Sequence, residues 1–188
     1  MVANRTKVMV EAGLSIALAY VLGRFMLFKL PFGGSVSLDM LPLLVFALRR
    51  GLWPGVFAGA LYGLLNYTID PVAIVHWVQF LLDYAVAYGL VGLSGLGSRA
   101  LQARAAQGRI ASAMLTVVTP FALLGMAARF MAHFISGIVF FGSYAPAGQP
   151  VALYSLIYNV TYMGPSAVLC LVAAWFVVPV LEKAVPVR

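Results

Sequence analysis

The sequence predicts an all-α integral membrane protein with six transmembrane helices and with both the N- and the C-terminus in the cytoplasm. Three observations predict the class: 63% of the 188 residues are hydrophobic, only 9% are charged, and the mean hydropathy is +1.00. These values lie far outside the range of soluble globular domains. Apolar stretches recur along nearly the whole chain, so residues 1–188 are expected to form a single membrane domain.

The first three spans follow from the breaks in hydropathy. Residues 8–28 are taken as a helix rather than a signal peptide, because no A-x-A-like cleavage site follows them and further spans do. After the segment LPFGGS, residues 36–48 form a short second span with Asp39 and Pro42 near its start, which we expect to be tilted or broken. The RRG corner then leads into a third span at residues 51–69.

The last three spans are longer. The fourth, residues 73–95, begins after the DP turn at residues 70–71. The basic segment GSRALQARAAQGR separates it from the fifth span, residues 110–141, which exceeds the thickness of a bilayer, so its outer end should emerge or bend. The segment SYAPAGQP precedes the sixth span, residues 151–180.

The distribution of basic residues predicts the orientation. A net charge of +7 would suggest nucleic acid as a partner of a soluble protein, but here the lipid bilayer is the expected partner and nucleic acid is not. With the N-terminus inside, only Arg24 and Lys29 face outward, as the positive-inside rule requires. The cytoplasmic set is then Arg5, Lys7, Arg49, Arg50, Arg99, Arg104, Arg109, Lys183 and Arg188.

Ionisable residues inside the spans are the first candidates for function. Asp83 lies in the fourth span, Arg129 and His133 lie in the fifth, and Asp39 opens the second. Burying such groups in a membrane is costly, so each is by default a functional residue with a partner. A structural alternative stays open, because an Asp and an Arg on neighbouring helices can form an ion pair that only satisfies buried charge.

Three polar helix faces are predicted to turn toward each other, because residues four apart share a face and these faces cannot comfortably meet lipid. A rise of about 1.5 Å per residue places Tyr154 and Asn159 within roughly 5 to 12 Å of the outer end. The pocket should therefore open outward and suit a small, polar, aromatic ligand, including a cationic one. The faces are Gln79 and Asp83; Arg129, His133, Gly137 and Phe141; and Tyr154, Tyr158 and Tyr162 beside Asn159.

Other polar residues have simpler interpretations. Tyr144 and Tyr154 also fit an interfacial aromatic belt, and His76 beside Trp77 fits an interfacial residue better than a ligand contact. The single cysteine, Cys170, excludes an intramolecular disulfide and a Cys-rich metal site. The sequence contains no G-x-S-x-G, H-E-x-x-H or P-loop motif, so we expect no enzyme activity, no cofactor and no metal.

Three segments resemble the thiamine-specific substrate-binding (S) components of energy-coupling factor (ECF) transporters. They are SLDMLPLLVFALRRG (37–51), VQFLLDYAVAYGLVGLSG (78–95) and RFMAHFISGIVFFGSYAPAGQPVALYSLIYNVTYMGPS (129–166). The resemblance implies a six-helix protein of the bacterial cell membrane that binds thiamine from outside with high affinity. It also implies a transmembrane coupling subunit and two ATP-binding subunits as partners, since the S component has no ATPase of its own.

The resemblance further implies the residues of the site. Asp83 would complement the thiazolium charge or accept from the aminopyrimidine. Independently of the resemblance, we expect Arg129 to have a supporting role and to pair with a carboxylate or a carbonyl, since a cation facing a cationic ligand is unfavourable. On the first helix, Gly13 and Ala17, continued by Ala19, resemble the alanine-based motif that docks on the coupling subunit. The remaining implied contacts are His133, Tyr154 and Asn159 as hydrogen-bonding groups, Gly137 one turn after the histidine, and Tyr84, Tyr62 and Phe141 as walls for the rings.

Three alternatives remain. The ligand could be another vitamin or a thiamine precursor such as hydroxymethylpyrimidine. The chain could be a small membrane enzyme acting on a lipid, with Asp83 and His133 as an acid and base pair. It could also be a structural membrane protein whose polar residues only hold helices together, in which case no small ligand would stabilise it.

Overall fold

The computed structural model describes residues 2–30, 33–69 and 74–185, which form six helices and one short β-hairpin. The predicted DP turn and Arg188 lie outside these residues. The short helical segments that follow each other without a break are treated as one helix. The elements are α1 (Val2–Arg24), β1 (Phe28–Lys29), β2 (Ser35–Val36), α2 (Met40–Arg50), α3 (Leu52–Ile69), α4 (Trp77–Ala106), α5 (Ile110–Phe140) and α6 (Val151–Ala184).

Helix α2 is the centre of the bundle. Residues 40–49 of this helix are all buried, although it is only 11 residues long. At about 1.5 Å per residue it reaches roughly half of a 30 Å hydrocarbon core, so it cannot cross the bilayer alone. Within the described chain, the helices long and apolar enough to cross are Arg5–Arg24 of α1, α4, α5 and α6.

The hairpin replaces the predicted end of the first span. Helix α1 ends at Arg24 rather than near residue 28, and β1 pairs antiparallel with β2. Gly33 and Gly34 lie in the turn with φ of 93° and 86°, a region that residues with a Cβ rarely adopt. The apolar residues before the turn thus belong to a strand, which hydropathy alone does not distinguish from a helix end.

Two other predicted helix ends were too early. Helix α4 continues to Ala106 instead of ending near residue 95, because most of the basic segment consists of good helix formers and Leu101 is buried against the bundle. Gly108, with φ of 69°, lies in the turn that follows. Helix α6 extends to Ala184, four residues beyond the predicted end of the sixth span at residue 180.

Ion pairs tie the C-terminal end of α2 to the outer helices. Arg49 Nη1 donates to Glu182 Oε1 at 2.5 Å, and Arg50 pairs with Glu11 on α1. Gln102 of α4 donates to the Arg49 carbonyl oxygen at 2.8 Å. The RRG corner, predicted as a basic connection, is therefore a buried junction of α1, α2, α4 and α6.

Candidate ligand-binding site

A cavity of about 140 Å³ lies between the hairpin and helices α3 to α6. A single water needs roughly 10–15 Å³ in the same measure, so the cavity has room for an organic molecule. The structure brings all eight residues predicted as ligand contacts to its lining. They are Asp83, Tyr84, His133, Gly137, Tyr154, Asn159, Tyr62 and Phe141.

A π-helical turn in α4, Leu81–Val86, carries the predicted carboxylate. A π-turn has more residues per turn than an α-helix, so successive side chains are rotated by a smaller angle. Asp83 and its neighbour Tyr84 can therefore both line the cavity. Such turns are rare and occur frequently at functional sites.

The Asp83 carboxylate faces the imidazole of His133 on α5. Asp83 Oδ1 lies 3.3 Å from His133 Nδ1, and both side chains are largely buried. The other ring nitrogen, Nε2, is buried and has no hydrogen-bond partner among the residues that the structure describes. A buried polar atom of this kind normally has a partner, so His133 Nε2 is available to a ligand atom.

Asn159 on α6 is held by the protein at both ends of its amide. Its Nδ2 donates to the Ser155 carbonyl oxygen at 2.9 Å, and its Oδ1 accepts from the Tyr162 hydroxyl at 2.9 Å. Nδ2 also lies 3.4 Å from the carbonyl oxygen of His133. Asn159 therefore links α6 to the backbone of the histidine, whatever contact it makes with a ligand.

Gly137 allows α5 and α6 to approach closely. A Cβ at this position would lie 2.2 Å from Ser155 Oγ, so a side chain cannot be added without a shift of the Ser155 side chain. Ser155 in turn donates to the Phe134 carbonyl oxygen at 2.8 Å. The glycine predicted as a ligand contact thus also has a packing role.

Tyrosine rings of α6 form one wall and hold the hairpin. The ring centroids of Tyr154 and Tyr158 are 5.9 Å apart, and those of Tyr158 and Tyr162 are 6.2 Å apart. Tyr158 donates its hydroxyl to the Gly33 carbonyl oxygen at 2.8 Å. A Cβ on Gly34 would lie 2.8 Å from the Tyr162 ring, so the turn lies directly against this wall.

The floor of the cavity contains a second carboxylate and the buried arginine. Arg129 Nη1 lies 3.8 Å from Asp39 Oδ1, and its guanidinium carbon lies 3.9 Å from the centroid of the Tyr88 ring. Asp39 Oδ2 accepts from the Tyr88 hydroxyl at 2.5 Å and from Tyr62 at 3.4 Å. The partner of Arg129 is thus Asp39, whereas Asp83 pairs with His133. Tyr62, predicted as a wall for the rings, is 1% exposed and belongs to this floor.

Several lining residues were not predicted as contacts. Tyr88 and Asn66 lie one helical turn after Tyr84 and Tyr62, so the same four-residue spacing could have identified them. Arg24 and Lys29, the two basic residues that the charge distribution left outside, also line the cavity. His76 does not; its Nδ1 accepts from the Val78 N–H at 3.1 Å at the start of α4.

The small residues of α1 separate into two groups. Gly13 and Ala17 are exposed on the outer surface of the bundle, and a Cβ on Gly13 would meet no described atom within 4 Å. Ala19 is 0% exposed, and its carbonyl oxygen lies 3.4 Å from the Tyr62 hydroxyl. Ala19 therefore does not continue the exposed pair, because it lies on the inner face of the helix.

These features define a candidate binding site for a small organic ligand, set between the helices of the bundle and lined by carboxylates, an imidazole and tyrosine rings. No cluster of three or more His, Cys, Asp or Glu side chains that could hold a metal ion occurs in residues 2–30, 33–69 and 74–185.

Comparison with known proteins identifies the family. The model of the family described as thiamine transporter protein matches residues 9–185. The thiamine transporter ThiT of Bacillus subtilis (strain 168) is 40% identical over 156 residues, which cover 83% of this chain and 80% of that protein. ThiT of Lacticaseibacillus paracasei is 35% identical over 155 residues, 81% and 75% of the two chains.

A solved structure of ThiT from Listeria monocytogenes has the same fold, with a TM-score of 0.80, 29% sequence identity, and coverage of 97% of this chain and 96% of that one. The chain therefore belongs to the thiamine transporter protein family. The predicted class is confirmed: a multi-pass α-helical protein of the bacterial cell membrane, related to transporters rather than to enzymes. The cytoplasmic location of both termini stays a prediction.

Proposed function

We propose that this chain is the high-affinity thiamine-binding subunit of an ECF-type transporter and captures thiamine from outside the cell. The observation that carries the proposal is the Asp83–His133 pair, which lies in a cavity walled by tyrosine rings. Thiamine combines a positively charged thiazolium with an aminopyrimidine. A carboxylate and aromatic faces attract such a cation most strongly where water is excluded.

Each part of the site has a role in this proposal. Asp83 supplies the charge that complements the thiazolium or accepts from the aminopyrimidine. His133 Nε2 hydrogen-bonds a polar ligand atom, since it has no partner in the described chain. Tyr84 and Phe141 wall the rings, Tyr62 closes the floor beneath them, and the Tyr154 hydroxyl hydrogen-bonds a polar ligand atom. The Asn159 amide contacts the ligand through its second N–H or through the second lone pair of its oxygen. Its bonds to Ser155 and Tyr162 use only one of each.

Transport requires partners that hydrolyse ATP. The sequence has no P-loop. As the resemblance to ECF S components implies, two ATP-binding subunits supply the energy for uptake through a transmembrane coupling subunit. Gly13 and Ala17 form the docking surface for the coupling subunit. Their exposure on an apolar helix supports this assignment, because small residues let two membrane helices approach closely.

The role of Asp83 is tested by Asp83→Asn, which keeps the size of the side chain and removes its charge. Thiamine affinity should fall by more than about tenfold, because the cation loses its counter-charge in a poorly solvated site. Isothermal titration of the purified variant measures the change. Glu182→Gln is the matched control, since it neutralises another buried carboxylate that does not line the cavity.

Glu182→Gln should lower the thermal stability and leave the affinity for thiamine within about threefold of wild type, because the Arg49 pair lies at the other end of α2. Equal affinities of Asp83→Asn and wild-type protein would remove Asp83 from the site.

A further inference from the structure

The carboxylate of Asp39 does not cap helix α2, although Asp39 lies at the N-terminus of this helix. Asp39 is the N-cap residue of α2, yet its side chain makes no capping hydrogen bond. An aspartate at this position commonly accepts from the first free N–H groups of the helix. Here the side chain turns into the bundle instead, where it is 7% exposed and accepts from the hydroxyl of Tyr88.

The residue that Asp39 faces, Arg129, is a permanent cation in the floor of the cavity. Arg129 is 7% exposed, and its Nε is buried without a hydrogen-bond partner in the part of the chain that the structure describes. Arginine stays protonated in proteins, so this charge cannot be removed by deprotonation. A positive charge in the lining repels a cationic ligand unless an opposite charge lies beside it.

We propose that Asp39 determines the charge specificity of the site: it cancels the charge of Arg129, so that Asp83 remains the net negative charge that a cationic ligand meets. This inference rests on the proposed binding of thiamine. The carboxylates of Asp39 and Asp83 and the guanidinium of Arg129 lie in the depth of the cavity, so two acidic side chains accompany one permanent cation. Arg24 and Lys29 also line the cavity but are exposed at the hairpin side, where water and ions screen them.

The geometry supports a contribution through charge rather than through direct bonding. The Asp39–Arg129 separation of 3.8 Å exceeds hydrogen-bond distance, whereas Asp39 is bonded at 2.5 Å to Tyr88, whose ring faces the guanidinium. Asp39 and Arg129 are thus held beside each other by the tyrosine. Each remains within the lining, where its charge acts on whatever occupies the cavity.

A purely structural role predicts a different outcome. If Asp39 only joined α2 to α5, its loss would weaken every ligand alike by loosening the bundle. A role in charge balance predicts that a cation is weakened and a neutral molecule of the same shape is not. The two roles are therefore separated by a pair of ligands that differ only in charge.

The experiment compares thiamine with an isostere in which a neutral thiophene replaces the thiazolium ring. Both are titrated into wild-type protein, Asp39→Asn and the double variant Asp39→Asn/Arg129→Met. In Asp39→Asn the affinity for thiamine should fall about tenfold or more, while that for the isostere changes less than about threefold. In the double variant thiamine affinity should return to within about threefold of wild type, because both charges are then absent.

Glu182→Gln is the control for loss of a buried carboxylate from an arginine pair, and its ratio of thiamine to isostere affinity should equal that of wild type. Equal weakening of both ligands in Asp39→Asn, without recovery in the double variant, would overturn the inference. If Asp39→Asn does not fold, the double variant decides: a wild-type affinity ratio supports charge cancellation, and loss of thiamine binding contradicts it.

Wild-type protein that does not bind thiamine would refute the proposed function and this inference together. Wild-type protein that binds thiamine, with Asp39→Asn binding equally well, would refute only the inference.

Discussion

At the scale of single residues, His133 is the group whose surroundings most directly indicate a ligand. One ring nitrogen lies 3.3 Å from Asp83, and the other is buried with no described partner. Leaving such an atom without a hydrogen bond costs about 1–3 kcal/mol, which a ligand atom at this position would recover on binding. We therefore expect a polar atom of the ligand to lie within hydrogen-bond distance of His133 Nε2.

Replacement of His133 by Ala should lower thiamine affinity by roughly tenfold or more, because the ligand loses a hydrogen bond and Asp83 loses its neighbour. The chain has a second histidine, so His76→Ala is the matched control; His76 is exposed and does not line the cavity. Titration of thiamine into both variants measures the difference. Comparable losses in the two variants would show that His133 has no special part in binding.

The individual residues of the site were predictable where spacing and chemistry agreed. Asp83 and His133 break the apolar pattern of their helices, and Tyr154 and Asn159 belong to a regular polar face. The pairing was not predictable, because sequence spacing does not say that Arg129 meets Asp39 across the bundle. Asn159 appeared only as a hydrogen-bonding group, whereas the structure shows its amide bonded at both ends to its neighbours on α6.

At the scale of the elements, the contact between α3 and α4 positions the π-turn. Gly59 and Gly63 lie one turn apart on α3, and a Cβ on them would lie 2.2 Å from the carbonyl oxygens of Tyr88 and Tyr84, respectively. Small residues at this spacing let membrane helices approach closely. The backbone that carries Tyr84 and Asp83 is therefore in direct contact with α3.

Gly63→Ala should destabilise the protein by about 1–3 kcal/mol, because the added methyl group meets backbone atoms that cannot rotate away. The displaced π-turn should also weaken thiamine binding. Gly13→Ala is the control, since its new methyl group meets no described atom within 4 Å. Thermal unfolding of the two variants, with and without thiamine, measures both effects; a Gly63→Ala protein as stable as Gly13→Ala would contradict this packing.

Helices could be predicted from the sequence where they produce a change in hydropathy. The short second span is explained by its burial within the bundle, since α2 has protein on every side rather than lipid. The hairpin and the π-turn have no hydropathy signal, because a strand of two residues and one wide helical turn leave the apolar pattern unchanged. Charged residues also do not end a helix, so α4 continues through most of the basic segment.

At the scale of the whole molecule, the bundle has a cavity between its helices and an exposed surface on α1, and we expect different partners for the two. Ala17→Leu should reduce association with the coupling subunit, because a larger side chain keeps two helices apart, while thiamine binding by the isolated chain stays unchanged. Ala127→Leu, at an exposed alanine of α5, is the matched control. Copurification in detergent measures association; equal recovery of the coupling subunit with both variants would contradict the assignment of this surface.

The membrane class was predictable from composition alone, but the ligand was not. Hydropathy establishes that the chain lies in the lipid bilayer. The shape of the cavity depends instead on contacts between residues far apart in sequence, such as those of Tyr158 with the Gly33 carbonyl and of Asp39 with Tyr88. The family relationship, taken together with the Asp83–His133 pair among the tyrosine rings, supports thiamine as the ligand of that cavity.

The most direct test of the central claim is isothermal titration of thiamine into the detergent-purified wild-type chain, after removal of any vitamin retained during purification. We expect thiamine to bind in the nanomolar range at one site per chain, with hydroxymethylpyrimidine as a weaker competitor. No heat of binding with thiamine, in a sample whose fold is verified, would contradict the claim. Tighter binding of hydroxymethylpyrimidine than of thiamine would instead assign the site to the precursor.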